Sequence, residues 1–297
     1  MNGRPTVVIA CGNDILSRVV LAELAAASDR LGVRFQVFFT RDRRNGAAAC
    51  PTWRDYLFWE RDFLAFLDRN MAPQAESSPR FLVSKNLLSG MLNDVNVNDP
   101  RIVAGWEAAP PLAILSLRVF QRFSADTIAR CAAMGTPLAN LHPGIAPAYR
   151  GVASTFHAMH NRERCNGVTL HHIDANYDTG PIIDQCTRPL DYGRSVFDNA
   201  MDLAPLAVDL LQHFVREVAF DRRAPGCPQD RLDGDYFSAP TPEQTKALSD
   251  MGIPLVRSLD AFAFYTRRFP ADATGADSAN VVCQFGLWPR ALDGGAR

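Results

Sequence analysis

The sequence predicts an α/β fold, a mostly parallel sheet flanked by helices with a small C-terminal extension, and its opening carries the observations that say so. Pro5 to Cys11 is a continuous apolar run of strand length, as expected for a strand buried on both faces. Gly12-Asn13-Asp14 then turns the chain, and Asp14 suits the N-cap of a helix running to about Leu31. Val33 to Phe39 supplies a second strand. A β-α-β opening of this kind makes a parallel sheet with right-handed crossovers.

The remaining elements follow in order. Thr40 to Trp53 is polar and basic and reads as a loop, Tyr56 to Asn70 has helical periodicity, and Met71 to Arg80 reads as another loop. Pro111 to Val119 is a strand, Ala125 to Met134 a helix, and Thr136 to Leu141 an apolar, β-prone run that Pro143 and Gly144 terminate. Val152 to Arg162 should be helical, and Gly167 to Ile173 and Pro181 to Arg188 should be strands with Asp178 between them. Ser195 to Phe220 is a long amphipathic helix in which Pro205 implies a kink or a break. From Asp221 to Pro242 the composition shifts to Pro, Gly, Asp and Arg, which divides the chain into residues 1–220 and an arm with a small subdomain at 221–297. Beyond the arm, Thr245 to Phe269 reads as mixed helix, Asn280 to Phe285 as a short strand and Gly294 to Arg297 as a frayed end.

Composition excludes several classes of function. With 47% hydrophobic and 21% charged residues in 297, the chain can bury an ordinary globular core. Lys+Arg 31 against Asp+Glu 32 gives a net charge of -1, so no overall field attracts a polyanion, and a nucleic-acid partner is not expected. No stretch reaches the roughly 18 to 20 apolar residues of a membrane span, and Met1 to Thr6 lacks the apolar core of a signal peptide. The seven cysteines are scattered without a CxxC pair, which indicates neither a zinc site nor a disulfide framework and suits a reducing cytoplasm. His157 and His160 sit three apart on an expected helix, but two histidines without a third ligand read as a solvated face, so no metal is expected.

Two short stretches carry the chemistry: Asn140-Leu141-His142-Pro143 and Asp178-Thr179-Gly180. Alternate side chains of a strand share a face, so Asn140 and His142 point the same way while Leu141 points into the core. Their place at the carboxyl end of a strand is where open α/β sheets bind ligands. An amide, an imidazole and a later carboxylate suit an acyl-type transfer: a donor for a developing oxyanion, a proton carrier, and a group that orients or deprotonates.

The series continues through Tyr149-Arg150-Gly151, Gly167-Val168-Thr169-Leu170-His171 and Asp178-Thr179-Gly180-Pro181. In that order it resembles the formyltransferases that use 10-formyltetrahydrofolate, best from about Pro111 to Phe220. The resemblance implies a Rossmann-like fold and a catalytic centre of Asn140, His142 and Asp178. Asn140 would donate to the formyl oxygen, His142 would stabilise the tetrahedral intermediate and handle its proton, and Asp178 would hold the imidazole and take the proton lost by the attacking amine. It places 10-formyltetrahydrofolate, as co-substrate, against Arg118, Val119 and Phe120 and against the stretch from His172 through Ile173 and Asp174 to Tyr177. Of His171 and His172, on opposite strand faces, one would line the site. Tyr149, Arg150 and Gly151 would contact the acceptor or shape the turn, and Tyr236, in the Pro-rich arm, would pack near the acceptor or anchor the arm.

The implied partner is a small-molecule amine or hydroxylamine, such as an amino-sugar nucleotide or a hydroxyornithine-like compound, with the oligomeric state, a homodimer included, left open. A carboxylate at Asp14 repels phosphate, which disfavours a ribonucleotide acceptor at the first turn. Two alternatives stand beside transfer to an amine: hydrolysis of formyltetrahydrofolate at the same centre, and a non-catalytic folate-binding module on the same fold.

Overall fold

The computed structural model describes residues 3–41, 50–65, 88–221, 224–229 and 234–268. Most of the expected 40–53 loop, the far end of the helix expected to reach Asn70, the 71–80 loop, the strand expected at Asn280 to Phe285 and the frayed end at 294–297 lie outside them. Seven strands form one sheet: β1 (Thr6–Cys11), β2 (Arg34–Thr40), β3 (Leu88–Val95), β4 (Ala113–Leu117), β5 (Leu138–His142), β7 (Cys165–His172) and β8 (Ile182–Pro189). Their spatial order is β3-β2-β1-β4-β5-β7-β8, with β6 (Tyr149–Gly151) and β9 (Asp235–Phe237) pairing separately. Pairings from β3 to β5 are parallel, whereas β7 lies antiparallel to both β5 and β8. The strand order reverses between β1 and β4, which opens a crevice at their carboxyl ends.

Burial on both faces explains why the central strands are apolar throughout. Val7, Ile9, Leu115 and Leu141 join the larger core cluster, while Val8, Ala10, Ile114 and Leu138 join a smaller one on the opposite face. Helix α1 (Ile15–Ala26) starts where expected: the Asp14 carboxylate accepts from the Ser17 N–H at 3.1 Å and leaves an N-terminal donor satisfied. Ser124 caps α5 (Ala125–Ala133) in the same way through the Thr127 N–H.

Several elements escape the sequence reading, β3 and a helix after it among them. β3 carries Gly90, Asn93 and Asp94, residues poorly suited to strands, and holds its edge place through pairing with β2. Helix α4 (Pro100–Ala108) had a readable start, an Asp99 N-cap followed by Pro at the first helical position. The long helix expected from Ser195 is two: α7 (Val196–Met201) and α8 (Ala204–Asp221). Pro205 sits in the first turn of α8, where its missing N–H deprives no carbonyl.

The arm folds back. β9 runs parallel to β6, pairing Tyr149 with Asp235 and Gly151 with Phe237, and the Phe237 ring stacks on Tyr149 at 5.3 Å and on His157 at 4.5 Å. After it, Leu248 in α9 (Pro242–Asp250), and Ala261 and Tyr265 in α10 (Ser258–Arg268), join the main core cluster. No described helix is long and apolar enough to cross a membrane.

Gly151 is what lets the arm close. Its φ is +93°, and a Cβ there would lie 2.2 Å from the Phe237 carbonyl oxygen. Gly151→Ala should therefore lower the unfolding free energy by about 2 kcal/mol or more. A urea titration that left the midpoint unchanged would mean that β6 and β9 do not pair in solution.

Candidate active site

The antiparallel register of β5 and β7 assembles the first part of the site. Directly opposed residues share a sheet face, and Asn140 opposes His171 while His142 opposes Thr169. His171 therefore enters the site, and its neighbour His172, opposite Ala139, faces the other way. The His171 Nδ1–H donates to the His172 carbonyl at 2.7 Å, and Nε2 lies 3.1 Å from Asn140 Nδ2.

The loop between β7 and β8 then folds back over this face and delivers Asp178. Asp178 lies in the left-handed region with φ 54°, a conformation that needs local support. Its Oδ2 accepts from the Gly151 N–H at 2.9 Å, and Asn140 Nδ2 donates to Oδ1 at 3.3 Å. The carboxylate also lies 3.6 Å from His142 Nδ1 and 3.6 Å from His171 Nε2. From the arm, Gln229 Nε2 donates to the Asp178 and Gly180 carbonyls at 3.2 and 2.6 Å. The three polar residues singled out in the sequence thus converge, and His171, Gly151 and Gln229 complete their surroundings.

His142 is buried, and its Nε2–H donates to the Tyr149 carbonyl at 2.6 Å. That bond fixes the neutral tautomer and leaves Nδ1 facing Asp178, so a proton taken up at Nδ1 meets a carboxylate. Burial works against the charge of Asp178, but His142 foremost, then His171 and the Gly151 N–H, outweigh it and hold the carboxyl well below the usual range.

A cavity of about 420 Å³ opens from these groups. Of the expected folate contacts, Arg118, Val119, Phe120 and Tyr177 line it. His172, Ile173 and Asp174 are not among its lining residues. His172 Nε2–H donates to the Ala224 carbonyl, Ile173 packs on the smaller core cluster, and Asp174 closes its own loop by accepting from the Thr179 hydroxyl and the Asn176 N–H.

The expected acceptor contacts divide as well. Gly151 and Tyr236 line the cavity, with the Tyr236 ring 6.2 Å from that of Tyr177. Tyr149 and Arg150 are not among the lining residues; the Tyr149 hydroxyl donates to Glu163 and Arg150 donates to the Gly234 carbonyl. His157 donates to the Ser238 carbonyl, and among the described residues no three His, Cys, Asp or Glu side chains cluster to hold a metal ion.

A further wall comes from a region in which the sequence showed only a loop and a helix. Trp53 and Tyr56 of α3 (Pro51–Leu57) and Glu60 line the cavity, Glu60 standing in a π-helical turn over Phe58–Asp62. Such turns recur at functional sites. Arg118 bridges Glu60 at 2.6 Å and Asp14 at 3.0 Å, so the first-turn carboxylate caps a helix and anchors a buried guanidinium. Burial opposes the Arg118 charge, but Asp14 and then Glu60 more than restore it. Sequence alone offered no signal for this contact, since the three residues are far apart in the chain.

Residues 107–198 match the family model described as formyl transferase. The phosphoribosylglycinamide formyltransferase of Bacillus subtilis strain 168 is 32% identical over 78 residues, 26% of this chain and 39% of that protein. A sugar N-formyltransferase from Shewanella sp. FDAARGOS_354 superposes with a TM-score of 0.54 at 17% identity, over 82% of this chain and 79% of that one. The N-formyltransferase from Helicobacter canadensis, solved with folinic acid and dTDP-3-aminofucose, gives a TM-score of 0.50 at 16% identity over 77% and 70%. The chain spans well under half the length of the curated relatives it matches. The structural likenesses show the fold, and Asn140, His142 and Asp178 all lie within the residues that match the formyl transferase model.

Asp178 ties acid sensitivity to the site. A depressed carboxyl contributes stability that is present above its unfolded value near pH 4 and is lost as the pH falls through the folded value. Asp178→Asn removes that contribution, so the stability gap between wild type and variant should narrow as the pH is lowered below about 4. Chemical denaturation across that range checks it, and a constant gap would mean that the carboxyl is not depressed.

Proposed function

We propose that this chain transfers the formyl group of 10-formyltetrahydrofolate to a primary amine or hydroxylamine of a small metabolite. One observation carries the reading: an amide, an imidazole and a depressed carboxylate converge at one end of a cavity large enough for an organic ligand. The neutral amine attacks the formyl carbon, and the oxygen that gains charge is held by Asn140 Nδ2 and the His142 side. Asp178 takes the amine proton through water and passes it to His142 Nδ1, the imidazolium gives it to the departing folate nitrogen, and the carbon–nitrogen bond to folate breaks. No Ser or Cys nucleophile is needed, so the protein's work is positioning, charge stabilisation and proton traffic.

The pterin would sit between the Arg118–Phe120 segment and the loop bearing Tyr177, with the acceptor entering past Gly151 and Tyr236. In this reading residues 1–220 form the catalytic unit and residues 221–297 add the arm that braces it. The Helicobacter canadensis relative, with its folate and amino-sugar nucleotide, supports the reading by analogy of fold. Hydrolysis of the same folate remains the competing chemistry, since water can replace the amine.

Purified protein supplied with 10-formyltetrahydrofolate and a panel of amines should release tetrahydrofolate only when an acceptor is present. Asn140→Ala should lower kcat on the order of a hundredfold or more while the fold is unchanged. Release at the same rate without any amine would replace transfer by hydrolysis. Activity should also fall toward acid pH as the amine protonates, and a flat rate with chemistry limiting would contradict amine attack.

Gln229 gives a separate check on the arm. Gln229→Ala frees the Asp178 backbone and should lower kcat by about tenfold with KM for folate little changed. An equal loss in both parameters would assign the residue to folding alone.

A further inference from the structure

The apolar side chains among the cavity's lining have a character of their own. Trp53, Tyr56, Phe156 and Met201 are among them, each buried to 5% exposure or less. The Trp53 and Tyr56 rings stack at 4.4 Å and 6°, and Phe156 meets Trp53 edge-on at 5.8 Å. Rings that brace one another this way make a rigid apolar slot, and such a slot selects by shape and apolar area.

The charge beside the slot points the same way. Arg118 lines the cavity, but Asp14 and Glu60 hold its guanidinium from two sides. Two carboxylates already neutralise that cation, so it offers a phosphate little net attraction. Asp178 and Glu60 line the same cavity, so an entering dianion also meets like charge. An amine, neutral or as ammonium, meets no such repulsion.

Granted the formyl transfer proposed above, we infer that the acceptor is an unphosphorylated amine whose apolar body lodges against Trp53, Tyr56, Phe156 and Met201. Of the two acceptor classes that the sequence left open, this sets aside the amino-sugar nucleotide. It favours an aliphatic, aromatic or deoxysugar amine.

The test uses the full chain and two readouts. In the first, calorimetry without folate measures binding of hexylamine, phenethylamine, a free aminodeoxyhexose and the same sugar as its nucleoside diphosphate. At least one unphosphorylated amine should bind tenfold or more tighter than the nucleotide. Equal or tighter binding of the nucleotide, or no binding of any unphosphorylated amine, overturns the inference. In the second, the same compounds are offered with 10-formyltetrahydrofolate. Failure of every bound amine to release tetrahydrofolate would refute the transfer reading while leaving the binding result to judge the pocket.

Met201→Trp should fill the slot and abolish binding of the apolar amine while the melting temperature and tetrahydrofolate binding hold. If that variant does not fold, Trp53→Leu widens the slot and should shift preference toward the bulkier phenethylamine. Unaltered amine affinity in a folded variant of either kind would overturn the assignment of the slot.

Discussion

Everything in the site is referred to one carboxylate. Asp178 occupies left-handed backbone, a conformation that residues with a side chain hold only under outside constraint. The constraint comes from three separate places: the Gly151 N–H after β5, the imidazoles on β5 and β7, and the Gln229 amide in the arm. None of them is local to the loop that carries Asp178. The position of the acid is therefore a property of the whole fold, and a depressed carboxyl marks how much of the surrounding structure favours its charge.

The switch from parallel to antiparallel pairing at β5 gives that constraint its geometry. Parallel neighbours place Asp14, Arg118 and the end of β5 along one edge of the sheet. Antiparallel β7 then sets His171 opposite Asn140, and the loop into β8 turns back across the same face. Two sets of polar groups meet at this junction. The ionic group of Asp14, Arg118 and Glu60 borders the cavity on one side, and His142 with Asp178 borders it on another.

The arm shows how a weakly patterned segment can be structurally committed. In the described part of the arm, Ala224 accepts from His172, Cys227 pairs with Ile182, Gln229 donates to Asp178, and Asp235–Phe237 add a strand to Tyr149–Gly151. Few of these contacts use a distinctive side chain. Most are backbone hydrogen bonds, which any sequence can make once the chain is delivered to the right place.

The sequence by itself determined the alternating elements of the sheet, the strand end bearing Asn140 and His142, the cap at Asp14 and the three residues of the polar centre. Each rests on a local pattern, apolar runs, turn residues or motif spacing, that does not need distant partners to be read. Tertiary structure decided the rest. Register chose His171 over His172, since only pairing with β5 says which face a strand presents. Packing turned Tyr149 and Arg150 toward Glu163 and Gly234 and brought Trp53, Tyr56 and Glu60 to the cavity. Those outcomes depend on contacts between residues distant in the chain, and local propensity carries no record of which distant residue will arrive.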